Sequence, residues 1–237
     1  MQSMKPSPTQ MLSRVNVKNF IEKMGIGIII VIRFNWKRGG TVYMPNVKSM
    51  RKAAYDIDPI YIKRWSPRSF TDQAIPDDVL YSLFEAARWA PSAANMQPWR
   101  FIIARTPADK ENFLSFIDDG NVIWCQNAPV LVAVASRMDN PKSGKENRTH
   151  AFDTGTAWGF LALEANRKGL ITHAMGGFDR EKAKAALRLP KNFAVHAIVA
   201  IGYQGDKEAL PKHLQEREQP SDRYDISTFV FEGMFKG

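Results

Sequence analysis

The sequence predicts one domain in which helices and strands are mixed, of the α/β or α+β class. Helix-like and strand-like patterns intermingle along residues 56–237, and no repeat of 20–50 residues is present. The chain has 237 residues, of which 44% are hydrophobic, so it can bury a core of ordinary size. These observations argue against a disordered chain and against a solenoid of repeats.

The first helix of this domain is predicted where Pro76-Asp77-Asp78 opens a segment that Pro91 ends. Proline suits the first helical turn, and acidic residues there interact favourably with the helix dipole. Apolar residues recur at helical spacing through the segment and predict its buried face: Val79, Leu80, Leu83, Phe84, Ala87 and Ala90.

Three further helices are predicted at Pro107–Phe116, Ala151–Lys168 and Asp179–Leu187. The longest is apolar and is followed by Gly169, a residue typical of the position after a helix. Asp179 suits the N-cap of the last one. Small residues on one side of the long helix allow a second helix to approach closely: Gly155, Gly159 and Ala162.

Three strands are predicted at Phe101–Ala104, Ala128–Ser136 and Val195–Gly202. The second shows no alternation of polar and apolar residues, which predicts a strand that is buried on both faces.

The net charge of +9 lies in a basic leader, residues 1–55, rather than in the domain. The leader holds ten Lys or Arg and one acid, Glu22, whereas residues 56–237 hold 23 bases and 23 acids. A nucleic-acid-binding protein carries its basic residues on the folded surface that contacts the ligand, so we expect no nucleic-acid partner. We expect the leader to be a disordered or dispensable extension, with a natural start at Met44 or Met50, before a domain at 56–237.

Other features bear on the compartment. The apolar run Gly25–Ile32 is shorter than the roughly 20 residues that span a bilayer, and no signal-peptide cleavage site follows it. The single cysteine, Cys125, excludes an internal disulfide and fits a reducing compartment. The four histidines lack metal-ligand spacing. We therefore expect a cytoplasmic protein with no membrane contact and no metal site.

The sequence lacks the common hydrolytic and nucleotide-binding signatures. It has no Gly-x-Ser-x-Gly elbow, no Gly-x-x-x-x-Gly-Lys loop and no complete Gly-x-Gly-x-x-Gly fingerprint. The candidate side chains that remain are suited to binding a ligand, and none forms a nucleophile paired with a base. This is typical of a protein whose cofactor carries the chemistry, and we assign no catalytic residue.

A short loop between two prolines carries Ser92, Asn95 and Gln97. Their hydroxyl and amide groups offer donors and acceptors that suit the polar edge of a flat heteroaromatic ring. The alternative is an ordinary loop whose side chains satisfy local backbone groups, and residue types alone favour it.

A basic turn with the pattern Arg64-x-Ser66-x-Arg68 precedes the first helix. Alternate residues of an extended segment point to one side, so two guanidinium groups and a hydroxyl can bind a phosphate dianion. A solvated basic turn is the alternative. Further on, Gly176 and Gly177 allow backbone to approach a ligand, or they form a plain turn before the next helix.

In this order and spacing the segments resemble the nitroreductase family of FMN-dependent oxidoreductases. The resemblance covers about residues 56–237, and the Pro-Ser-x-x-Asn-x-Gln-Pro-Trp run is its most specific part. It rests on Arg64–Arg68, Ala90–Phe101, Asn127–Val132, Asp153–Ala157, Met175–Phe178, Ala200–Tyr203 and Arg223.

The resemblance implies an α+β fold, with a central, mostly antiparallel sheet flanked by helices. It also implies an intertwined homodimer with FMN at the interface, in which the tail Phe229–Phe235 wraps onto the partner subunit. Residues implied to bind the FMN phosphate and ribityl are Arg64, Ser66, Arg68 and Arg223. Residues implied to reach the flavin of the partner subunit are Pro91, Ser92, Asn95 and Gln97. Residues implied to lie beside the flavin ring are Asn121, Met175, Gly176 and Gly177.

The implied reaction takes hydride from NADH or NADPH and reduces a nitroaromatic, a quinone or a related acceptor by a ping-pong mechanism. Two alternatives stay open. The same fold can serve another flavin reaction, such as reductive dehalogenation, flavin breakdown or dehydrogenation, or it can be a non-catalytic flavin-binding module. Trp124, three residues after Asn121, is not a cation, so the sequence assigns no residue to the flavin N1/O2 edge.

Overall fold

The computed structural model describes residues 51–236. Most of the expected leader, with Gly25–Ile32, Met44 and Met50, therefore lies outside the described residues. Arg51, within that expected leader, donates hydrogen bonds to the carbonyls of Ile62 and Arg64, at 3.0 Å each. The folded domain thus makes contacts with a residue that precedes the expected boundary at 56.

A four-stranded sheet forms the centre of the domain. The strands are β1 (Trp99–Ala104), β2 (Val130–Arg137), β3 (Ile171–Met175) and β4 (Phe193–Gly202). They are arranged in the order β1-β2-β4-β3, and every neighbouring pair is antiparallel. The expected α+β class with a mostly antiparallel sheet is confirmed.

The helices of the described residues are α1 (Ile60–Lys63), α2 (Asp77–Arg88), α3 (Pro107–Leu114), α4 (Asp119–Cys125), α5 (His150–Arg167), α6 (Arg180–Ala186) and α7 (Lys212–Gln215). The sequence patterns located α2, α3, α5 and α6 to within a few residues. They did not locate α1, α4, α7 or β3, each of which has seven residues or fewer. Elements this short complete few turns or alternations, so a period alone does not reveal them. The equally short α6 was located because Asp179 marks its N-cap.

Both faces of the sheet are buried, as the apolar run of β2 predicts. Leu131 and Ala133 pack with Trp124 of α4 on one face. Val132 and Val134 pack with Leu161 of α5 on the other, where α2 also lies. Since neighbouring residues of a strand point to opposite faces, every position of β2 from Val130 to Ser136 is apolar or small, and the partly exposed Arg137 ends the strand.

No helix within residues 51–236 is both long enough and apolar enough to cross a bilayer.

We predict that the end of β4 tolerates no side chain at Gly202. A Cβ there would lie 2.6 Å from Pro129 Cδ and 3.0 Å from Phe70 Cδ1. Gly202→Ala should therefore lower the free energy of unfolding by about 1–3 kcal/mol, measured by urea denaturation. The control is Gly120→Ala in α4, where a Cβ meets nothing within 4 Å, so stability should stay the same or rise. Equal stability of the two variants would contradict this packing.

Candidate functional site

The basic turn at residues 64–68 lies against β3, and a histidine of that strand holds it there. His173 Nδ1 lies 2.9 Å from the carbonyl oxygen of Pro67, so this nitrogen carries the proton that the carbonyl accepts. The ring also packs on Trp124, with centroids 4.6 Å apart. Burial lowers the pKa of His173 to about 4; the Pro67 carbonyl opposes this, and the charge of Arg68 adds to it. The imidazole is therefore neutral at neutral pH.

Four arginines from three segments form what we call the basic cluster: Arg51, Arg64, Arg68 and Arg223. The Arg64 guanidinium donates to Ser66 Oγ at 3.3 Å. Burial lowers the pKa of Arg64, and the charges of Arg223 and Arg51 lower it further. The pKa of Arg51 is likewise lowered, first by burial and then by Arg223. These shifts show that like charges are held close together.

The acids beside the basic cluster already accept hydrogen bonds from backbone amides. Glu218 Oε1 accepts from the N–H groups of Arg68 at 2.7 Å and Ser69 at 3.0 Å, and its side chain is only 2% exposed. Its Oε2 has no hydrogen-bond partner and lies 3.9 Å from Arg68 Nη1. Asp222 Oδ1 accepts from the N–H of Arg223 at 2.9 Å. Four guanidinium groups thus face two carboxylates, and the excess of positive charge suits a bound anion.

A second group lies where β3 ends at Met175. The Asn121 amide of α4 donates to the carbonyl of Gly177 at 3.1 Å, and the N–H of Asp118 donates to the same oxygen at 3.2 Å. Three residues lie between His173 and Gly177, and the first two of them belong to β3, so the two positions are at most about 13 Å apart along the chain. This separation suits a ligand whose anionic end and heteroaromatic end are joined by a chain.

The loop at residues 91–97 carries the remaining predicted side chains. The Gln97 amide donates to Asn95 Oδ1 at 3.0 Å, and Ser92 Oγ accepts from the N–H of Gln97 at 3.0 Å. Both amide side chains are exposed. Within residues 51–236, no hydrogen bond or ion pair links this loop to the basic cluster. The basic turn is held by His173 of β3, and the same strand leads to Met175–Gly177 beside Asn121.

Sequence reasoning missed three residues that shape this site: Arg51, Glu218 and the partly buried His173. The motif around His173 was visible, but its bond to Pro67 needs the pairing of β3 to be known. Arg51 and Glu218 lie in polar stretches that carry no local signal. Among residues 51–236, no three His, Cys, Asp or Glu side chains are grouped as a metal site requires.

The chain is similar to a well-populated group of flavoproteins. The family model described as the nitroreductase family matches residues 61–120 and 109–203. An NADH dehydrogenase of Thermus thermophilus is 30% identical over an alignment of 181 positions that covers 64% of this chain and 88% of the relative. A Ralstonia nicotianae protein, provisionally named an NADH dehydrogenase/NAD(P)H nitroreductase, is 26% identical over 66% of this chain and 90% of its own.

A solved structure described as an oxidoreductase containing FMN superposes with a TM-score of 0.76 at 41% identity. The superposition covers 80% of this chain and 98% of that one.

We predict that His173 makes the protein sensitive to acid. Its folded-state pKa of about 4 lies below the usual 6.5, so the unfolded chain binds the proton first and stability falls as pH drops from about 6.5 towards 4. Between pH 7 and pH 4.5 this one group should remove roughly 2 kcal/mol of unfolding free energy, measured by urea denaturation. Over the same pH interval, the unfolding free energy of His173→Asn should fall by roughly 2 kcal/mol less than that of the parent, because an asparagine side chain does not titrate.

The exposed His213 supplies the control for this measurement. His213→Asn should follow the parent at both pH values. If His173→Asn also followed the parent, the buried neutral imidazole would be refuted.

We also predict that the two adjacent glycines differ in their tolerance of a side chain. A Cβ on Gly177 would lie 2.7 Å from both Asn121 Nδ2 and Asp118 Oδ2, whereas one on Gly176 meets nothing within 4 Å. Gly177→Ala should displace the Asn121 amide from its bond to the Gly177 carbonyl and lower the unfolding free energy of the flavin-free protein by about 0.5–1.5 kcal/mol, and Gly176→Ala should leave it nearly unchanged. Thermal or urea unfolding distinguishes the two; the reverse order would contradict the placement of Asn121.

Proposed function

The chain belongs to the nitroreductase family, and from that membership we propose that it is an FMN-dependent oxidoreductase that takes its electrons from NADH or NADPH. The similar structure at 41% identity, described as containing FMN, supports the cofactor. The names of the Thermus and Ralstonia relatives support the nicotinamide donor.

The observation that carries the proposal is the excess positive charge of the basic cluster. FMN ends in a phosphate with a charge near −2, and the guanidinium groups of Arg64, Arg68 and Arg223 are the groups that would hold it. The Ser66 hydroxyl, 3.3 Å from Arg64 Nη1, would add a hydrogen bond to the phosphate. A phosphate would also relieve the repulsion that lowers the pKa values of Arg51 and Arg64. The residues present therefore fit the group.

The rest of the site suits the flavin ring. FMN, when bound, supplies the redox chemistry by accepting a hydride from the nicotinamide and passing electrons to an acceptor. Backbone at Met175, Gly176 and Gly177 would approach the ring without side-chain interference, and Asn121 would orient that backbone through its bond to Gly177. The protein's role is to bind, orient and exclude water, so no residue of the chain is required as an acid or base.

A homodimer is part of the proposal. The tail after Arg223 exposes apolar side chains that a monomer leaves in water, and α5 exposes Phe152 to 78%. The tail residues concerned are Tyr224, Phe229, Val230, Met234 and Phe235. In such a dimer Pro91, Ser92, Asn95 and Gln97 would reach the flavin of the partner subunit, because among residues 51–236 no hydrogen bond or ion pair joins them to the basic cluster of their own chain. Nitroaromatics, quinones or related acceptors would complete a ping-pong reaction.

We predict that Arg223→Ala weakens the binding of FMN but not of riboflavin. Arg223 is exposed and its side chain bonds only Ser221 and Asp222 nearby, so its removal leaves the core intact. Loss of one charge-assisted phosphate contact should lower FMN affinity by about 10- to 150-fold. Riboflavin lacks the phosphate, so its affinity should match that of the parent. Arg223→Lys should recover part of the loss, because an ammonium group cannot bind two oxygens as a fork.

The measurement is titration of flavin-free protein with each flavin, followed by fluorescence quenching. Arg148→Ala, at a side chain that is 88% exposed and pairs with Glu146, is the matched control and should bind both flavins normally. Equal losses for FMN and riboflavin in Arg223→Ala would indicate structural damage, and no loss for either would refute the phosphate site.

A further inference from the structure

We propose that Asp153 is a positioning residue that holds the loop at residues 91–97 in the shape that presents Asn95 and Gln97. This inference rests on the proposed function, in which those two side chains reach the flavin of the partner subunit. Asp153 itself is buried in the first turn of α5. It is not one of the predicted site residues, so its role is inferred from its contacts.

The loop has a strained backbone. Ala94, Asn95 and Gln97 have φ angles of 51°, 54° and 47°, in the left-handed region that non-glycine residues rarely adopt. Three such residues within four positions are unfavourable together, and Ala94 has no polar side chain to compensate. This conformation persists only if contacts outside the strained residues fix it.

Most hydrogen bonds of the loop join residues within the loop, so they do not fix its position relative to the rest of the domain. Asn95 N–H donates to the Ser92 carbonyl and Met96 N–H to the Ala93 carbonyl, both at 3.0 Å. The contact that reaches from the start of the strained turn into the protein interior is Ala93 N–H to Asp153 Oδ2, at 3.2 Å. On the solvent side, the exposed Arg100 donates to the Gln97 carbonyl at 3.1 Å.

The carboxylate of Asp153 is itself well fixed. The residue is 3% exposed, and the Thr149 hydroxyl lies 3.0 Å from the same Oδ2. Thr149 is held in turn by Asn147 Oδ1, which accepts from the Thr149 N–H at 3.2 Å. A carboxylate in the first turn of an 18-residue helix is also stabilised by the helix dipole. A fixed, charged acceptor is therefore aimed at the loop from a rigid element.

The test compares full-length Asp153→Ala with Thr154→Val. Thr154 is the next residue of the same helix, is 1% exposed, and has a hydroxyl without a hydrogen-bond partner, so its removal controls for disturbance of α5. Two properties are measured: amide hydrogen exchange at residues 93–97, and the affinities of the flavin-free protein for FMN and riboflavin.

In Asp153→Ala, exchange at residues 93–97 should accelerate, and both flavins should bind about 10-fold more weakly. The equal effect on the two flavins separates Asp153 from the arginines, which act on the phosphate alone. Asp153→Asn should recover part of both losses, because its side-chain oxygen can still accept from Ala93. Thr154→Val should match the parent in both measurements.

Parental exchange at 93–97 in folded Asp153→Ala, or parental affinity for both flavins, would overturn the proposal. Equal effects of Asp153→Ala and Thr154→Val on amide exchange and flavin affinity would also overturn it. If Asp153→Ala does not fold, Asp153→Glu, which displaces the carboxylate by one methylene group, replaces it with the same outcomes. Hydrogen exchange is read without flavin, so it tests Asp153 even if the Arg223 variants refute the phosphate site.

Discussion

The burial of arginine side chains close to one another in the basic cluster is the constraint on which the candidate site depends. Burial and mutual repulsion lower the pKa values of Arg51 and Arg64, so the fold holds these charges together at an energetic cost. The cluster persists because its backbone is fixed from two sides. His173 fixes the Pro67 carbonyl from β3, and Glu218 fixes the amides of Arg68 and Ser69 from beyond α7. An anion that binds here recovers the energy stored in the repulsion.

The sheet explains why these contacts meet. β3 lies at the edge of the sheet and is paired only with β4 among the described strands, and on the face that carries Trp124 its His173 side chain contacts the basic turn. The same strand then leads to Met175 and the glycines, where α4 supplies Asn121. One short strand thus connects the cationic end of the site with the end that suits a flat ring, and its neutral histidine adds no further positive charge.

Much of this arrangement could be predicted from the sequence, and the exceptions have physical reasons. The long helix α5 and the apolar strand β2 have enough periods or apolar length to be recognised, and the ordered motifs predicted the fold. The strand β3 has five residues, too few to show a pattern. Glu218 acts on Arg68 across 150 positions of sequence, and no local pattern encodes that contact. Asp153 was visible as part of a motif, but its bond to Ala93 follows only from the packing of α5 against the loop.

The charge distribution depends on which part of the chain is counted. A net charge of +9 is typical of a nucleic-acid-binding protein, yet the domain at 56–237 is electrically balanced. Within that balanced domain, a few arginines concentrate positive charge at one place. Local excess of charge, rather than net charge, is therefore the better guide to the ligand.

The most direct test of the account is anaerobic rapid mixing of the FMN-loaded protein with NADH and, separately, with NADPH. We predict that at least one of the two bleaches the visible absorption of the flavin, at a rate that saturates with nicotinamide concentration and far exceeds that of free FMN. Bleaching no faster than with free FMN, for both nicotinamides, would contradict the assignment of an NAD(P)H-dependent oxidoreductase.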